Sequence, residues 1–279
     1  MLNALSVDVE DWFQVGAFEK VIDRTSWDAR ESRVERNTDA VLALFSDAGV
    51  KATFFTLGWV AERFPDLMMR IAEGGHEIAS HGWDHARLST LNAATFRADL
   101  ERASIAIENA CGRAPKGYRA PSFSLDAGTS WAHEVLAGEG YAYSSSVAPI
   151  RHDHYGWPES SRSPWRPVAG SDMVELPVTT LRLGPLNLAA GGGFFRLLPY
   201  ALSNLAVRRA NRTGDAAIFY FHPWEIDPGQ PRVDDAPLRS RLRHYSRLCA
   251  MKGKLARLLR AHSWVPTAQV ADLARARLQ

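Results

Sequence analysis

Cysteine, long apolar runs and an excess of charge of one sign are all scarce in this sequence of 279 residues. The two cysteines, Cys111 and Cys249, lie far apart and in no metal-binding spacing, which argues against a disulfide framework or a cysteine-based zinc site. No apolar run approaches the roughly 18 residues that a transmembrane helix needs. Lys and Arg number 33 against 31 Asp and Glu without a sustained basic stripe, so nucleic acid is not an expected partner.

The N-terminal residues 1–7 (MLNALSV) are apolar, but they are too short for the hydrophobic part of a signal peptide and lack a basic start. We therefore expect a cytoplasmic protein without a transmembrane segment, with a membrane-associated assembly as an alternative. The hydrophobic content of 46% is ample for a buried core, and one large α/β domain fits this length as well as two smaller domains.

Short β-branched and aromatic runs alternate with helical patterns along the chain. Extended segments are predicted at 5–9, 52–57, 76–80, 117–121, 141–147, 174–179 and 216–221, and helices at 27–48, 59–73, 92–110, 129–138, 195–210 and 239–262. This alternation predicts a mostly parallel sheet, either open or closed into a barrel. Residues 149–168 have no clear period and are predicted to form a long surface loop.

The functional hypothesis starts from residues 76–85 (HEIASHGWDH). This stretch has the pattern of a short buried strand that runs into two histidines, His81 and His85. Two imidazoles four residues apart lie on one face of a helical turn, where they can donate nitrogens to one metal ion. Alone the pair is weak evidence, because surface histidines are common.

Other chemically active side chains also follow predicted strands. Asp8, Arg119 and His222 lie at strand ends, and Glu10 and Asp11 come directly after the first of them. Active groups of parallel sheets gather at the carboxyl ends of the strands. Carboxylates with two imidazoles suit zinc or a similar divalent ion, which acidifies its bound water and polarises a carbonyl. With a carboxylate and a histidine to move protons, the set predicts metal-assisted amide or ester hydrolysis.

Four motifs, in this order, resemble the polysaccharide deacetylases with a NodB-homology domain, the carbohydrate esterase family 4. They lie at residues 6–11 (SVDVED), 52–85, 117–123 (GYRAPSF) and 218–222 (IFYFH). The resemblance extends from Ser6 to about Pro231. The start DVEDWF, the sequence HPWE at 222–225 and the later pair HY at 244–245 further resemble a bacterial subgroup found with exosortase-linked exopolysaccharide systems.

The resemblance implies a fold, an activity and a cofactor. The fold would be a distorted (β/α) barrel of about seven strands, one domain over residues 1–279 with 232–279 as a C-terminal helical extension. The activity would be removal of N-acetyl or O-acetyl groups from an acetylated polysaccharide, oligosaccharide or precursor in exopolysaccharide biosynthesis. The cofactor would be a divalent metal, zinc in the first place and cobalt as the alternative.

The resemblance also implies residue roles. Asp8 would be the general base, with Arg119 orienting it, and His222 would be the general acid. The backbone N–H of Ser122 would donate to the oxyanion. The two histidines of the 76–85 stretch, His81 and His85, would be metal ligands.

The acidic metal ligand is open between two residues. The family motif commonly has adjacent aspartates, base then ligand, whereas Val9 follows Asp8 here. On a strand, Glu10 points to the same face as Asp8, which favours Glu10. If the chain already turns at Trp12, Asp11 could be the ligand instead, and we retain both candidates.

A second departure is Ser144, which stands where family members commonly carry an aspartate. Loss of that charge could shift the pKa of His222 or of the carboxylate partner of Arg119, and it suggests a degenerate carbohydrate-binding protein as an alternative to the deacetylase. A hydrolase of a small linear or cyclic amide, as in relatives of this family, is a separate alternative. Glu225 is either an exposed carboxylate or a hydrogen-bond partner of a motif histidine. His152 and His154 are predicted to be solvated loop histidines.

Four aromatic residues flank the motifs: Trp12, Trp83, Phe123 and Trp224. Core packing is the ordinary role of such residues, but aromatic rings at the mouth of a polar site also stack on sugar rings. We consider them candidates for substrate binding, with core packing as the alternative.

Overall fold

The computed structural model describes residues 1–184 and 186–278. Short strands form its centre. Within the described residues the strands are β1 (Leu2–Val9), β2 (Thr53–Thr56), β3 (Glu77–Ser80), β4 (Gly117–Tyr118), β5 (Tyr143–Ser144), β6 (Val174–Glu175), β7 (Thr180–Leu183), β8 (Leu186–Ala189), β9 (Ile218–Phe221) and β10 (Ser263–Val265).

Seven parallel strands form a curled half-barrel in the order β9-β1-β2-β3-β4-β5-β6. The first strand is central to it, since Val7 pairs with Phe54 of β2 and with Phe221 of β9. The short β10 pairs in parallel with the beginning of β1, at Leu2–Ala4. The predicted α/β barrel of about seven strands is confirmed.

Helices connect most of these strands, as βαβ units require. Within the same residues they are α1 (Val34–Ala48), α2 (Gly58–Arg63), α3 (Pro65–Glu73), α4 (Ala93–Cys111), α5 (Ala132–Gly138), α6 (Gly192–Leu197), α7 (Tyr200–Arg212), α8 (Leu238–Tyr245), α9 (Leu248–Ala261) and α10 (Thr267–Arg277).

Three of the predicted helices are each divided in two. Pro65 begins α3 at its first position, where a missing N–H costs nothing, and so separates α3 from α2. Pro199 forces the residue before it into an extended conformation and separates α6 from α7. Arg247, with a left-handed φ of 59°, separates α8 from α9 within the predicted helix 239–262.

Side chains of β1 alternate between two environments, as the two-residue period of a strand requires. Leu5, Val7 and Val9 are fully buried in the largest apolar cluster, together with side chains of α1, α3 and α9. Ser6 and Asp8 point to the other face, into the half-barrel, where both contact the same guanidinium group. The polar centre therefore lies inside the curl of the sheet, and the core lies mainly between the sheet and its helices.

Residues 149–168 form the predicted loop, without a helix or strand. The antiparallel hairpin of β7 and β8, the strand β10 and the helix α10 had no predicted counterpart. The chain after residue 232 is tied to the sheet, since the N–H of Thr267 donates to the hydroxyl of Thr53 at 2.7 Å. The predicted division at residue 232 stays a prediction.

None of the helices in residues 1–184 and 186–278 is both long enough and apolar enough to cross a membrane.

Candidate active site

A cavity of about 370 Å³ opens at the carboxyl edge of the half-barrel. The strands β1, β3 and β9 all end at it, which is where parallel barrels hold their reactive groups. Predicted site residues that line it are Asp8, Glu10, His81, His85, Ser122 and His222.

Glu10, His81 and His85 form a buried cluster whose potential ligand atoms all lie within 4.8 Å of one another. The Nε2 of His85 lies 2.9 Å from the Oε2 of Glu10, a close ion-pair contact. Apart from that contact, this buried carboxylate oxygen accepts no hydrogen bond among the described residues. Because an unpartnered buried oxygen is costly, and because one carboxylate and two imidazoles are a common zinc ligand set, the cluster fits a divalent cation.

The chemistry of His81 also fits a ligand. Its Nδ1 lies 2.8 Å from the backbone carbonyl of Arg119, which accepts the Nδ1–H and leaves the Nε2 lone pair for the cluster. Burial lowers the pKa of His81 to about 4, so the ring is neutral at pH 7, as a metal ligand must be.

The expected helical turn between the two histidines is wrong. The strand β3 ends at Ser80, and residues 81–85 are irregular, with His85 in the left-handed region at a φ of 61°. This backbone reversal, rather than helical spacing, brings the two rings together, with their centroids 5.4 Å apart.

The structure brings Glu10 to the histidines. Its Oε1 accepts a hydrogen bond from the indole N–H of Trp224 at 3.1 Å. Burial alone would raise the pKa of Glu10, but the neighbouring imidazoles of His85 and His222 outweigh it and lower that pKa to about 2. The carboxylate is therefore charged at neutral pH.

Asp11 lies elsewhere, at the beginning of α1. Its Oδ2 accepts hydrogen bonds from the hydroxyl of Ser32 at 2.6 Å and from the backbone N–H groups of Arg33 at 2.8 Å and Val34 at 3.2 Å. A carboxylate is favourable there, because the first N–H groups of a helix lack partners and carry partial positive charge. Asp11 is not part of the cluster with the histidines.

Asp8 is held by Arg119, which is fully buried. The guanidinium donates to Asp8 Oδ1 at 2.5 Å and to the Ser6 hydroxyl at 2.8 Å. Its Nε donates to the carbonyl of Ser145 at 2.9 Å, and its Nη2 donates to the hydroxyl of the same residue at 3.0 Å. Because one oxygen of Asp8 is fixed in this way, the carboxylate has a defined orientation beside the cavity.

His222 follows β9 and faces three carboxylates. Its Nδ1 is 3.1 Å from Glu225 Oε2, and its Nε2 is 3.6 Å from Glu10 Oε1 and 3.8 Å from Asp8 Oδ2. Burial opposes the protonated ring, but these carboxylates raise the pKa of His222 to about 9. At neutral pH the imidazole is protonated and can act as an acid.

The sequence left two alternatives for Glu225: an exposed side chain or a hydrogen-bond partner of a histidine. It is fully buried and bonds His222 twice, at the ring Nδ1 and at the backbone N–H, both at 3.1 Å. The Nε of Arg196 donates to its other oxygen at 3.0 Å. Ser144, by contrast, donates its hydroxyl to Ser146 at 2.8 Å and does not contact His222. The carboxylate beside this imidazole comes from the turn that follows β9.

Ser122 lies in a short turn after Pro121, with a left-handed φ of 53°. Its side chain lines the cavity, and within the described residues its backbone N–H has no hydrogen-bond acceptor. A left-handed non-glycine residue is strained and is often found at functional sites. The position suits a donor to a developing negative charge.

Two of the four predicted aromatic residues do not line the cavity. Trp12 is buried and donates its indole N–H to the carbonyl of Glu31 at 3.0 Å. Trp83 packs beneath the guanidinium group of Arg102, whose central carbon is 3.5 Å from the ring centroid. Both residues pack within the protein rather than at the cavity.

Phe123 and Trp224 do line the cavity. Trp224 is only 7% exposed, however, and both His222 and His244 stack against it, at 5.2 and 4.2 Å between centroids. Little of this indole is therefore open for a sugar ring to stack on.

The cavity is also lined by rings that the sequence analysis did not select as site residues. His152 and Tyr155, from the long loop, lie 4.4 Å apart between centroids, and Phe194 of α6 lies 6.0 Å from His152. The signal that could have found these rings was the length of the loop itself, since long ordered loops are often functional.

The fold and the cavity together define an α/β barrel protein with a buried His-His-Glu cluster of the composition found in hydrolytic metal centres. Residues 24–138 match the family model described as polysaccharide deacetylase, and residues 145–272 match a domain of unknown function, DUF3473. Residues 24–138 are therefore similar to the polysaccharide deacetylase family.

Curated relatives match the chain over a part of their length. A chitin deacetylase of Pestalotiopsis sp is 34% identical over 121 residues, which are 42% of this chain and 40% of that protein. A peptidoglycan-N-acetylglucosamine deacetylase of Bacillus cereus is 37% identical over 84 residues, 30% of each chain. A chitooligosaccharide deacetylase of Bradyrhizobium sp. is 36% identical over 101 residues, 36% of this chain and 43% of that one. The chain thus spans less than half the length of these relatives.

Solved structures share the fold. A Mycobacterium smegmatis protein assigned to the polysaccharide deacetylases aligns with a TM-score of 0.65 and 22% identity, over 99% of this chain and 90% of that one. A peptidoglycan N-acetylglucosamine deacetylase aligns with a TM-score of 0.50 and 17% identity, over 96% and 87%. At such identities the likeness concerns the fold alone.

Proposed function

We propose that this protein is a metal-dependent hydrolase that removes acetyl groups, N-linked in the first place, from an acetylated polysaccharide or its precursor. The observation that carries the proposal is the cluster of Glu10, His81 and His85 beside an arginine-held Asp8 and a protonated His222. In the finer form of the proposal, the protein acts in exopolysaccharide biosynthesis and belongs to the exosortase-linked subgroup, with residues 1–279 as one domain.

Glu10, His81 and His85 would hold the divalent ion, zinc or cobalt. When bound, such an ion polarises the acetyl carbonyl and lowers the pKa of a water molecule. The carboxylate is charged and the His81 ring is neutral at pH 7, so these two residues need not lose a proton to bind it.

Asp8 would take the proton of the attacking water. Arg119 holds one of its oxygens at 2.5 Å, and this bond fixes the orientation of the carboxylate. The oxygen of water adds to the acetyl carbon, and the N–H of Ser122 would stabilise the negative charge that develops on the carbonyl oxygen.

His222 would donate its proton to the sugar nitrogen as the carbon–nitrogen bond breaks, which yields acetate and a free amine. Its pKa of about 9 keeps the proton on the ring at neutral pH. The bond to Glu225 holds Nδ1, so the Nε2–H is the proton that the ring can transfer.

The substrate class rests on the relatives, whose names give chitin, peptidoglycan N-acetylglucosamine and chitooligosaccharide as their substrates. The aromatic wall of His152, Tyr155 and Phe194 supports it, because rings that line a polar cavity suit the apolar face of a sugar. Phe123 remains a candidate contact at the same cavity.

The test is acetate release from N-acetylglucosamine oligomers by metal-stripped protein, with and without added Zn²⁺ or Co²⁺. We expect release only with metal, and its loss in Asp8→Asn with metal binding retained. The matched control is Asp47→Asn, at an exposed position on α1. Metal binding without release from any oligomer would exclude N-acetylglucosamine oligomers as substrates and favour a small amide or a different polymer. Sugar binding without metal binding or release would favour the degenerate carbohydrate-binding protein.

A further inference from the structure

Trp224 connects two distant parts of the chain at the metal cluster. It lies in the short turn Pro223–Ile226 after β9, in the region matched by the domain of unknown function. Its indole N–H donates to the Oε1 of Glu10 at 3.1 Å, across 214 positions of sequence. Both side chains are buried, so water does not compete for this bond.

The bond distinguishes the two oxygens of Glu10. Oε1 is occupied by the indole N–H, whereas Oε2 has no hydrogen bond among the described residues and lies 2.9 Å from the Nε2 of His85. A glutamate side chain has three rotatable bonds, so a carboxylate without such a partner could turn either oxygen toward the histidines. The indole therefore selects which oxygen faces them.

The indole is itself held firmly. His222 and His244 both stack against it, at interplanar angles of 21° and 14°. The amide of Gln230 donates to the backbone carbonyl of Trp224 at 3.0 Å, and the Oε1 of that amide lies 2.6 Å from His244 Nε2. A donor that is packed and bonded in this way can orient its acceptor, because it cannot follow the acceptor's motion.

We propose that Trp224 is a positioning residue for the metal site: its indole N–H fixes Glu10 with Oε2 toward His81 and His85, and so raises the affinity for the divalent ion. The inference rests on the proposed metal role of Glu10. Residues that hydrogen-bond a metal ligand typically change metal affinity about 10- to 100-fold when replaced.

The experiment measures Zn²⁺ affinity by calorimetry and the absorption spectrum of bound Co²⁺, in the wild type and in Trp224→Phe. Phenylalanine keeps an aromatic ring and removes the N–H donor. It is also smaller than tryptophan, and the control below shares that loss of volume. We expect affinity to fall roughly 10-fold or more and the Co²⁺ spectrum to change. The control is Trp264→Phe, which is equally buried and also loses an indole hydrogen bond, to Leu258 at 3.3 Å, but lies in β10. Its affinity should match the wild type.

A double-mutant cycle with Glu10→Asp separates a direct link from general destabilisation. An aspartate is too short to reach both the indole and the histidines, so the loss from Trp224→Phe should be smaller in that background. Fully additive losses, or equal losses in Trp224→Phe and Trp264→Phe, would overturn the inference.

Wild-type protein provides a measurement that needs no substitution. The indole N–H resonance of Trp224 should shift when Zn²⁺ is added, while that of Trp264 should not. A wild type that binds neither ion would overturn the metal centre and the positioning role together. Tight wild-type binding with unchanged affinity in Trp224→Phe, or with an unshifted indole resonance, would overturn the positioning role alone.

Discussion

The imidazole of His222 is surrounded by negative charge on both of its nitrogens. Glu225 lies at Nδ1, and Glu10 and Asp8 lie on the side of Nε2. Glu225 is kept ionised by two cations, since His222 and Arg196 lower its pKa against the effect of burial. A carboxylate that stays charged holds the proton on its partner, and Glu225 therefore acts together with Glu10 and Asp8 in raising the pKa of the imidazole.

Replacing Glu225 by Gln should lower the pKa of His222 from about 9 by about 1–3 units, because one adjacent charge is lost. The measurement is an NMR titration of the ring in metal-free protein. In the wild type the folded pKa lies above the unfolded value of 6.5, so this residue's stabilising contribution is complete below pH 6.5 and is lost as the pH rises through about 9. In Glu225→Gln, the contribution of His222 to the free energy of unfolding should depend less on pH over this range.

The control for this titration is Glu108→Gln, at an exposed position on α4, which should leave the pKa of His222 unchanged. A wild-type value near 6.5, or no change on Glu225→Gln, would contradict the account of the charge around the ring.

The sequence was sufficient to predict that the main reactive residues lie at one site. Asp8, His81 and His222 each follow an apolar run, and the rule for carboxyl ends then predicts that they meet. The sequence could not predict the hydrogen-bond partners of these residues. A bond such as that of Trp224 to Glu10 joins positions far apart in the chain, which no local pattern relates. The sequence also could not decide whether Glu10 or Asp11 lies with the histidines. That decision needed the contacts of Asp11 with the start of α1.

At the scale of elements, two helical glycines differ in the space around them: one is tightly packed and the other is open. A Cβ added at Gly58 of α2 would approach the ring of Trp83 to 2.5 Å and the Cα of Ala103 to 2.8 Å. The close approach of α2 to α4 depends on this missing side chain. Gly253 lies within α9, and a Cβ there would meet nothing within 4 Å.

We expect Gly58→Ala to lower the free energy of unfolding by about 1–3 kcal/mol, since an overpacked contact must move backbone or ring atoms. Gly253→Ala should raise it by roughly 0.5–1 kcal/mol, because alanine loses less backbone entropy in a helix. Urea unfolding of the two variants measures both signs. Equal effects of the same sign would refute the assigned contact at α2.

The elements that sequence patterns predicted are those with a strong period, such as β1 and α4. The helix breaks and the short strand that the patterns missed depend on the backbone conformation of single residues or on tertiary contacts. Pro65 and Pro199 are visible in the sequence, and a stricter use of proline would have divided both helices correctly. The left-handed Arg247 has no such signal, because a non-glycine residue enters that region only when tertiary contacts hold it there. The strand β10 is three residues long and forms only because β1 offers it an edge.

At the scale of the whole molecule, the two matched regions contribute strands to one sheet. The strand β1 precedes residues 24–138, yet it pairs with β2 inside that region and with β9 and β10 inside residues 145–272. The Glu10 that follows this strand then contacts both the histidine cluster and Trp224. A molecule joined in this way should lose all of its structure together.

We therefore expect one unfolding transition, with coincident curves from far-ultraviolet circular dichroism and tryptophan fluorescence. Zinc should move the whole transition to higher temperature, because a ligand that binds only the folded state at 100 times its dissociation constant stabilises it by about 2.7 kcal/mol. The shift should be absent in His85→Ala and retained in His262→Ala, whose histidine lies before β10, away from the cluster. Two separated transitions, only one of them moved by zinc, would mean that the halves fold independently. The pairing of β1 with strands of both regions would then contribute little to their cooperativity.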